Sequence, residues 1–116
     1  MHSLLALVVE DDPLLRLDLA DALRGRALEV IECDSAEAGE LVLARTGLEL
    51  DVLVTDVELA GRKTGLELAR FAIAQFPRLC VVVISGRNGL QIPDGASFLM
   101  KPFRTADLLQ VVASIT

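Results

Sequence analysis

Apolar residues gather along the chain in short runs, from Leu4 to Val9, Asp51 to Thr55, Leu79 to Ile84 and Ala96 to Met100, with a weaker one from Leu28 to Glu32. Runs of this length bounded by polar and turn-forming residues predict β-strands. The runs from Leu79 and from Ala96 are read as strands of a parallel sheet covered on both faces. The segments between them carry helical periodicity with start and stop signals. Asp12 before Pro13 predicts an N-cap and a first-turn proline, followed by an apolar face of Leu14, Leu15, Leu19, Ala22 and Leu23 that Gly25 ends. Asp34 with Glu37 opens a second helix in the manner of a capping box, continuing through Leu41, Val42 and Ala44 to Gly47. Thr64 with Glu67 is a capping box proper, opening a helix through Leu68, Phe71, Ala72 and Ala74 that stops before Pro77. Thr105 opens a last helix with Leu108, Leu109, Val112 and Ile115 inward.

Strands alternating with helices imply an α/β fold, with parallel strands joined by right-handed crossovers. One connection departs from that rhythm. The stretch Gly86 to Gly95 holds three glycines and Pro93, and parallel strands normally need a helix-bearing crossover of about a dozen residues or more. A fourth crossover helix is therefore expected to be missing or cut to a turn. At 116 residues and 53% apolar composition, the chain suffices for one core without disulfides or a structural metal, so residues 1–116 are read as one domain.

Charge and composition remove several function classes. The 11 Lys and Arg are scattered against 17 Asp and Glu, a net charge of −6, which speaks against nucleic-acid binding through phosphate contacts. With 3% aromatic residues and neither Trp nor Tyr, base-stacking platforms are not expected. No run reaches the roughly 20 apolar residues of a spanning helix, and the opening Met1, His2, Ser3 lacks the basic lead of a secretory signal. A cytoplasmic protein without a membrane partner is the expectation. Cys33 and Cys80 are expected to be buried, inert thiols, and His2 a frayed terminal residue.

The carboxyl ends of the strands in a parallel sheet share one edge, where ligands bind. To that edge the runs deliver Glu10, Asp11 and Asp12, then Asp56, then Ser85, then Lys101 before Pro102. Converging acids repel one another unless a cation neutralises them, and Mg²⁺ suits a site of one or two carboxylates that also takes a phosphate oxygen. A lysine and a hydroxyl facing that cation are the donors a phosphoryl group requires. Asp56 stands alone at the end of a central strand, whereas Glu10, Asp11 and Asp12 cluster like ligands. That favours Asp56 as a carboxylate nucleophile, with a further metal ligand as the open alternative. Taken singly, each residue has a plainer reading: Asp12 as a cap only, Ser85 in a turn, Phe98 in the core, Lys101 solvated, Arg62 and Lys63 at a loop tip.

Four segments in this order resemble the receiver domains of two-component response regulators, the CheY-like superfamily. They are Leu7 to Arg16 with its Glu10-Asp11-Asp12 cluster, Val54 to Leu59 around Asp56, Val83-Ile84-Ser85-Gly86, and Lys101-Pro102-Phe103. The resemblance covers essentially the whole chain and implies a flavodoxin-like, doubly wound five-stranded parallel sheet of order 2-1-3-4-5. It implies that Asp56 takes a phosphoryl group from a histidine kinase or histidine phosphotransfer protein, with Mg²⁺ held by Glu10, Asp11, Asp56 and the backbone of Val57 or Glu58. Ser85 and Lys101 then bind phosphoryl oxygens, Phe98 is the switch aromatic that turns inward with Ser85, Gly86 leaves room for the donor phosphate, and the Lys101–Pro102 bond is cis. The chain departs from the family at Ala60, where many members carry proline, in a slightly longer loop over residues 61–65, and in the stretch 86–95. The last change leaves the family's usual output face expected to be rebuilt and the downstream partner unknown; homodimerisation stays open. Two other functions compete with the switch: a pseudo-receiver that only docks proteins, and a Mg²⁺-dependent phosphohydrolase with Glu58 as acid/base. The intact set of Asp56, Glu10, Asp11, Ser85 and Lys101 opposes the first, and the lack of room for a substrate-enclosing cap opposes the second, so a turnover enzyme is not expected.

Overall fold

The computed structural model describes residues 3–115. The expectation for His2 thus lies outside the described residues. Strands β1 (Leu5–Val9), β2 (Glu29–Cys33), β3 (Val52–Asp56), β4 (Cys80–Ser85) and β5 (Ala96–Met100) alternate with helices α1 (Pro13–Arg24), α2 (Ala36–Thr46), α3 (Gly65–Gln75) and α4 (Thr105–Ala113). The sheet is parallel throughout, in the order β2-β1-β3-β4-β5. No helix among the described residues is long and apolar enough to cross a membrane.

Alternation along the central strands divides the core in two, because successive side chains of a strand point to opposite faces. Leu7, Val9, Leu53, Val81 and Val83 pack against α2 and α3 through Ala36, Leu43, Leu68, Ala69 and Ala72. Ala6, Val8, Val52, Val54, Val82 and Ile84 pack against α1 and α4 through Leu19, Leu23, Leu108 and Val112. β3 and all of β4 beyond Cys80 are buried, as central strands covered on both faces should be. β5 corrects the expectation that it too is fully covered: Ser97 and Met100 are exposed, because the strand lies at the sheet's edge.

The helix starts follow the sequence signals with one correction, at α2, and two of the expected helix faces are corrected as well. Asp12 caps α1 by accepting from the amides of Leu14 and Leu15, and Thr64 and Glu67 form a reciprocal capping box on α3. Ser35, not Asp34, caps α2, with its hydroxyl accepting from Ala38 N. The buried face of α1 is carried by Leu19, Ala20 and Leu23, while Leu14 is 75% exposed. At 100° per residue Leu14 falls on the side of Asp18 and Asp21. On α2 Leu43 is buried and Val42 packs beside it on the core, while Leu41 points to solvent.

Between β4 and β5 no helix forms. Leu90 and Ile92 from this stretch pack instead on the core cluster beside α3, joining Phe98 there, and Gly89 and Gly95 adopt positive φ of 76° and 93°, a region open to glycine at little cost. Cys33 and Cys80 are free and half-buried, not fully buried as expected. Burial raises both thiol pKa values, Cys33 also feeling Asp34, which keeps them protonated and weakly nucleophilic.

Candidate functional site

The register of the sheet brings the polar strand ends together. Val9 pairs with Thr55, Asp56 with Ile84, and Ser85 with Met100. The residues just past those pairs, Glu10 and Lys101, therefore flank Asp56 at the carboxyl edge. Glu10 is only 1% exposed and Asp56 4%, whereas Asp11 lies in solvent. One carboxylate oxygen from each of Glu10, Asp11 and Asp56 lies within 4.8 Å of the others, a spacing that could hold a metal ion. Asp12 is not part of that group; its carboxylate caps α1.

Charge is partly balanced by Lys101, whose Nζ lies 2.7 Å from Asp56 Oδ2 and 3.8 Å from Glu10 Oε1. Burial pulls the Lys101 pKa down, but the hydrogen bond to Asp56 and the charges of Asp56, Glu10 and Glu58 more than offset it, leaving the ammonium favoured. Glu10 is the strained member. Burial first, then its interactions with Asp56, push its carboxyl up to about 8, against the opposing Asp12 amide that donates to Oε2 at 3.0 Å. Glu10 Oε1 is buried with no hydrogen-bond partner. An orphaned carboxylate oxygen amid acids is what a cation would satisfy, and all-oxygen donors suit Mg²⁺.

The main chain around the acids is braced. Glu10 N donates to Cys33 O at 3.0 Å and Arg16 Nη1 to Glu10 O at 2.9 Å. Gly65, the first residue of α3, donates from its amide to Val57 O at 2.9 Å. A Cβ there would fall on the Asp56 carbonyl oxygen and within 2.9 Å of Thr55 Oγ1, so only glycine lets α3 start against the Asp56 backbone. Sequence reasoning passed over Gly65 in this role; a glycine directly after a capping threonine was the available signal.

Ser85 is fully buried, and its hydroxyl donates to Glu58 Oε1 at 2.7 Å, with Oε2 at 3.2 Å, while accepting from Arg87 N at 3.0 Å. The Glu58 side chain thus accepts from Ser85, a contact the sequence did not reveal: it was named there for its backbone and as the acid/base of the competing hydrolase, and its amide lies 3.3 Å from Asp56 Oδ1. Phe98 is half-buried on the core face beside Leu90 and Ile92, paired in register with Val83. Nothing but Lys101 Cβ, at 3.8 Å, would meet a Cβ on Gly86, so that position is open. The Lys101–Pro102 peptide bond is cis. Arg62 and Lys63 are more than a solvated loop tip: their amides donate to Glu37, and Lys63 Nζ pairs with Glu40.

Comparison with known proteins places this geometry. Residues 6–113 match the model of the response regulator receiver domain. The chain is 34% identical over 113 residues to the response regulator protein FleR of Pseudomonas aeruginosa, covering 92% of this chain and 23% of FleR. It is 32% identical over 117 residues to the transcriptional regulatory protein FixJ of Azorhizobium caulinodans, covering 96% of this chain and 54% of FixJ. It therefore spans about half or less of these relatives. A response regulator receiver domain protein from Clostridium thermocellum superposes with a TM-score of 0.87 at 21% identity, covering 97% of this chain and 93% of that one, which speaks to the fold. With the sheet order, the acidic edge and the family match in agreement, the chain belongs to the response regulator receiver domains of two-component signalling.

Proposed function

We propose that Asp56 accepts a phosphoryl group from a phosphohistidine of a histidine kinase or histidine phosphotransfer protein, and that the change at the site alters which partner the domain binds. The observation that supports this most is the convergence of Glu10, Asp11 and Asp56 within 4.8 Å, with Lys101 Nζ at 2.7 Å from Asp56. A carboxylate oxygen of Asp56 attacks phosphorus; the P–N bond breaks and its electron pair leaves with the imidazole nitrogen. Catalysis of such a transfer is mostly positioning and charge neutralisation. Mg²⁺, held by Glu10, Asp11 and Asp56 with a Val57 or Glu58 backbone oxygen, would neutralise charge building on the transferred group.

The chain's own residues do the rest. Lys101 shifts its ammonium from Asp56 onto a phosphoryl oxygen. Ser85 has a single hydroxyl proton, now given to Glu58, and turns it to another phosphoryl oxygen, with Phe98 following. Gly86 admits the donor's phosphate. The phosphoryl group ends on the domain's own Asp56, so the domain catalyses its own phosphorylation and dephosphorylation and works as a switch, not as a turnover enzyme. Incubation with Mg²⁺ and a small phosphodonor tests this: the intact mass rises by one phosphoryl group, and Asp56→Asn abolishes the rise. No rise in the wild type refutes it.

A further inference from the structure

Between β3 and α3 the chain is held from an unexpected quarter, the second residue of α2. Glu37 Oε2 accepts from the amides of Arg62 at 3.0 Å and Lys63 at 3.4 Å. Its own amide first, and then those of Arg62 and Lys63, hold the Glu37 carboxyl below its usual pKa, so it is ionised at neutral pH and each contact is a charge-assisted hydrogen bond. Gly61 makes the approach possible. Its φ is +104°, and a Cβ there would come within 2.9 Å of Glu37 Oε1. One turn along α2, Glu40 takes the Lys63 ammonium. Two carboxylates on one helix thus clamp two consecutive residues of the loop, Arg62 and Lys63.

The clamped loop reaches the acidic site through Ala60, whose amide donates to Asp11 Oδ2 at 3.2 Å. Asp11 is exposed, so packing does little to fix its side chain, and the Ala60 amide is a donor that holds it. One oxygen of the carboxylate held this way lies within 4.8 Å of an oxygen of both Glu10 and Asp56.

We infer that Glu37 is a positioning residue for the cation site: by holding Arg62 and Lys63 it fixes Ala60, and Ala60 orients the Asp11 carboxylate. This rests on the reading of Asp11 as a cation ligand. Hydrogen bonds to ligating carboxylates orient them, and their loss typically weakens metal affinity by about 10- to 100-fold. Gly61 and Gly65 flank the clamped pair, and Glu37 supplies from α2 the rigidity that a glycine-containing loop lacks.

The test uses the whole chain and Mg²⁺ as the only probe, with affinity from amide chemical shifts and with hydrogen exchange measured in the metal-free protein. Glu37→Ala is expected to speed exchange of the Arg62 and Lys63 amides and to weaken Mg²⁺ binding about tenfold, while β3 and β4 amides keep their protection. Glu37→Gln, whose carbonyl oxygen still accepts both amides, is expected to stay within about threefold of the wild type. A purely structural role for Glu37 would speed loop exchange and leave Mg²⁺ affinity unchanged, which overturns the inference. Absence of Mg²⁺ binding in the wild type overturns the cation reading of Asp11 itself, a failure distinct from equal binding by wild type and variant.

Discussion

In the absence of divalent cation the domain should lose stability as pH rises from 5 to 8, and Glu10 should be the cause. Its carboxyl is raised from 4.5 to about 8 in the folded chain by burial and by Asp56. The sign follows from proton counting. Below about pH 4.5 Glu10 is protonated in both states and imposes no penalty. Between the two values the unfolded chain releases the proton and the folded chain keeps it, so stability falls by up to about 1.4 kcal/mol per pH unit. Above about 8 the loss is complete, at a ceiling of roughly 5 kcal/mol. Between pH 5 and 8 a loss of roughly 3 kcal/mol is expected. Urea unfolding with a chelator present, at half-unit pH steps, reads it directly. The thiols and Lys101, also raised, titrate above this window. Glu10→Gln should flatten the profile, and Mg²⁺ should flatten it in the wild type by binding the ionised carboxylate. A profile equally steep in Glu10→Gln would refute the reasoning.

Two further perturbations probe the frame around the site. Gly65→Ala drives a methyl into the Asp56 carbonyl, and relief requires moving α3 or β3, so a loss of about 3 kcal/mol or more is expected in urea unfolding. Wild-type stability in that variant would show that α3 does not rest on the Asp56 backbone. Thr64→Ala removes one half of the capping box and should cost about 1 kcal/mol while leaving Mg²⁺ affinity intact.

What the sequence made legible follows from how local each cause is. The strands and the edge they share were visible because burial on both faces demands unbroken apolar runs, as in Val81 to Ile84, and because each run stops at a polar residue. The missing crossover helix was visible because glycines and Pro93 oppose helix formation wherever they sit. Asp12, Thr64 and Glu67 act within their own turn, so their spacing declared them. The cap of α2 passed from Asp34 to Ser35 because adjacent capping residues differ by one position, and backbone geometry decides between them. Leu14 was misjudged because apolar character alone does not state which face of a helix is covered. Most hidden were the contacts that join distant elements: Glu58 with Ser85, Glu37 with Arg62 and Lys63, and Gly65 against Asp56. Their residue types are those of ordinary loops and helix starts, and only the packing of α2 and α3 on the sheet gives them partners.

The central claim is that Asp56 carries the phosphoryl group. Borohydride reduction of an aspartyl phosphate converts the residue to homoserine, which marks the acceptor permanently. After treatment with Mg²⁺ and a phosphodonor, followed by borohydride, peptide mass analysis should place homoserine at Asp56 alone, and chelation of Mg²⁺ should abolish it. Homoserine at Asp11 or another aspartate, or unmodified Asp56 in a protein whose mass has risen, would contradict the account.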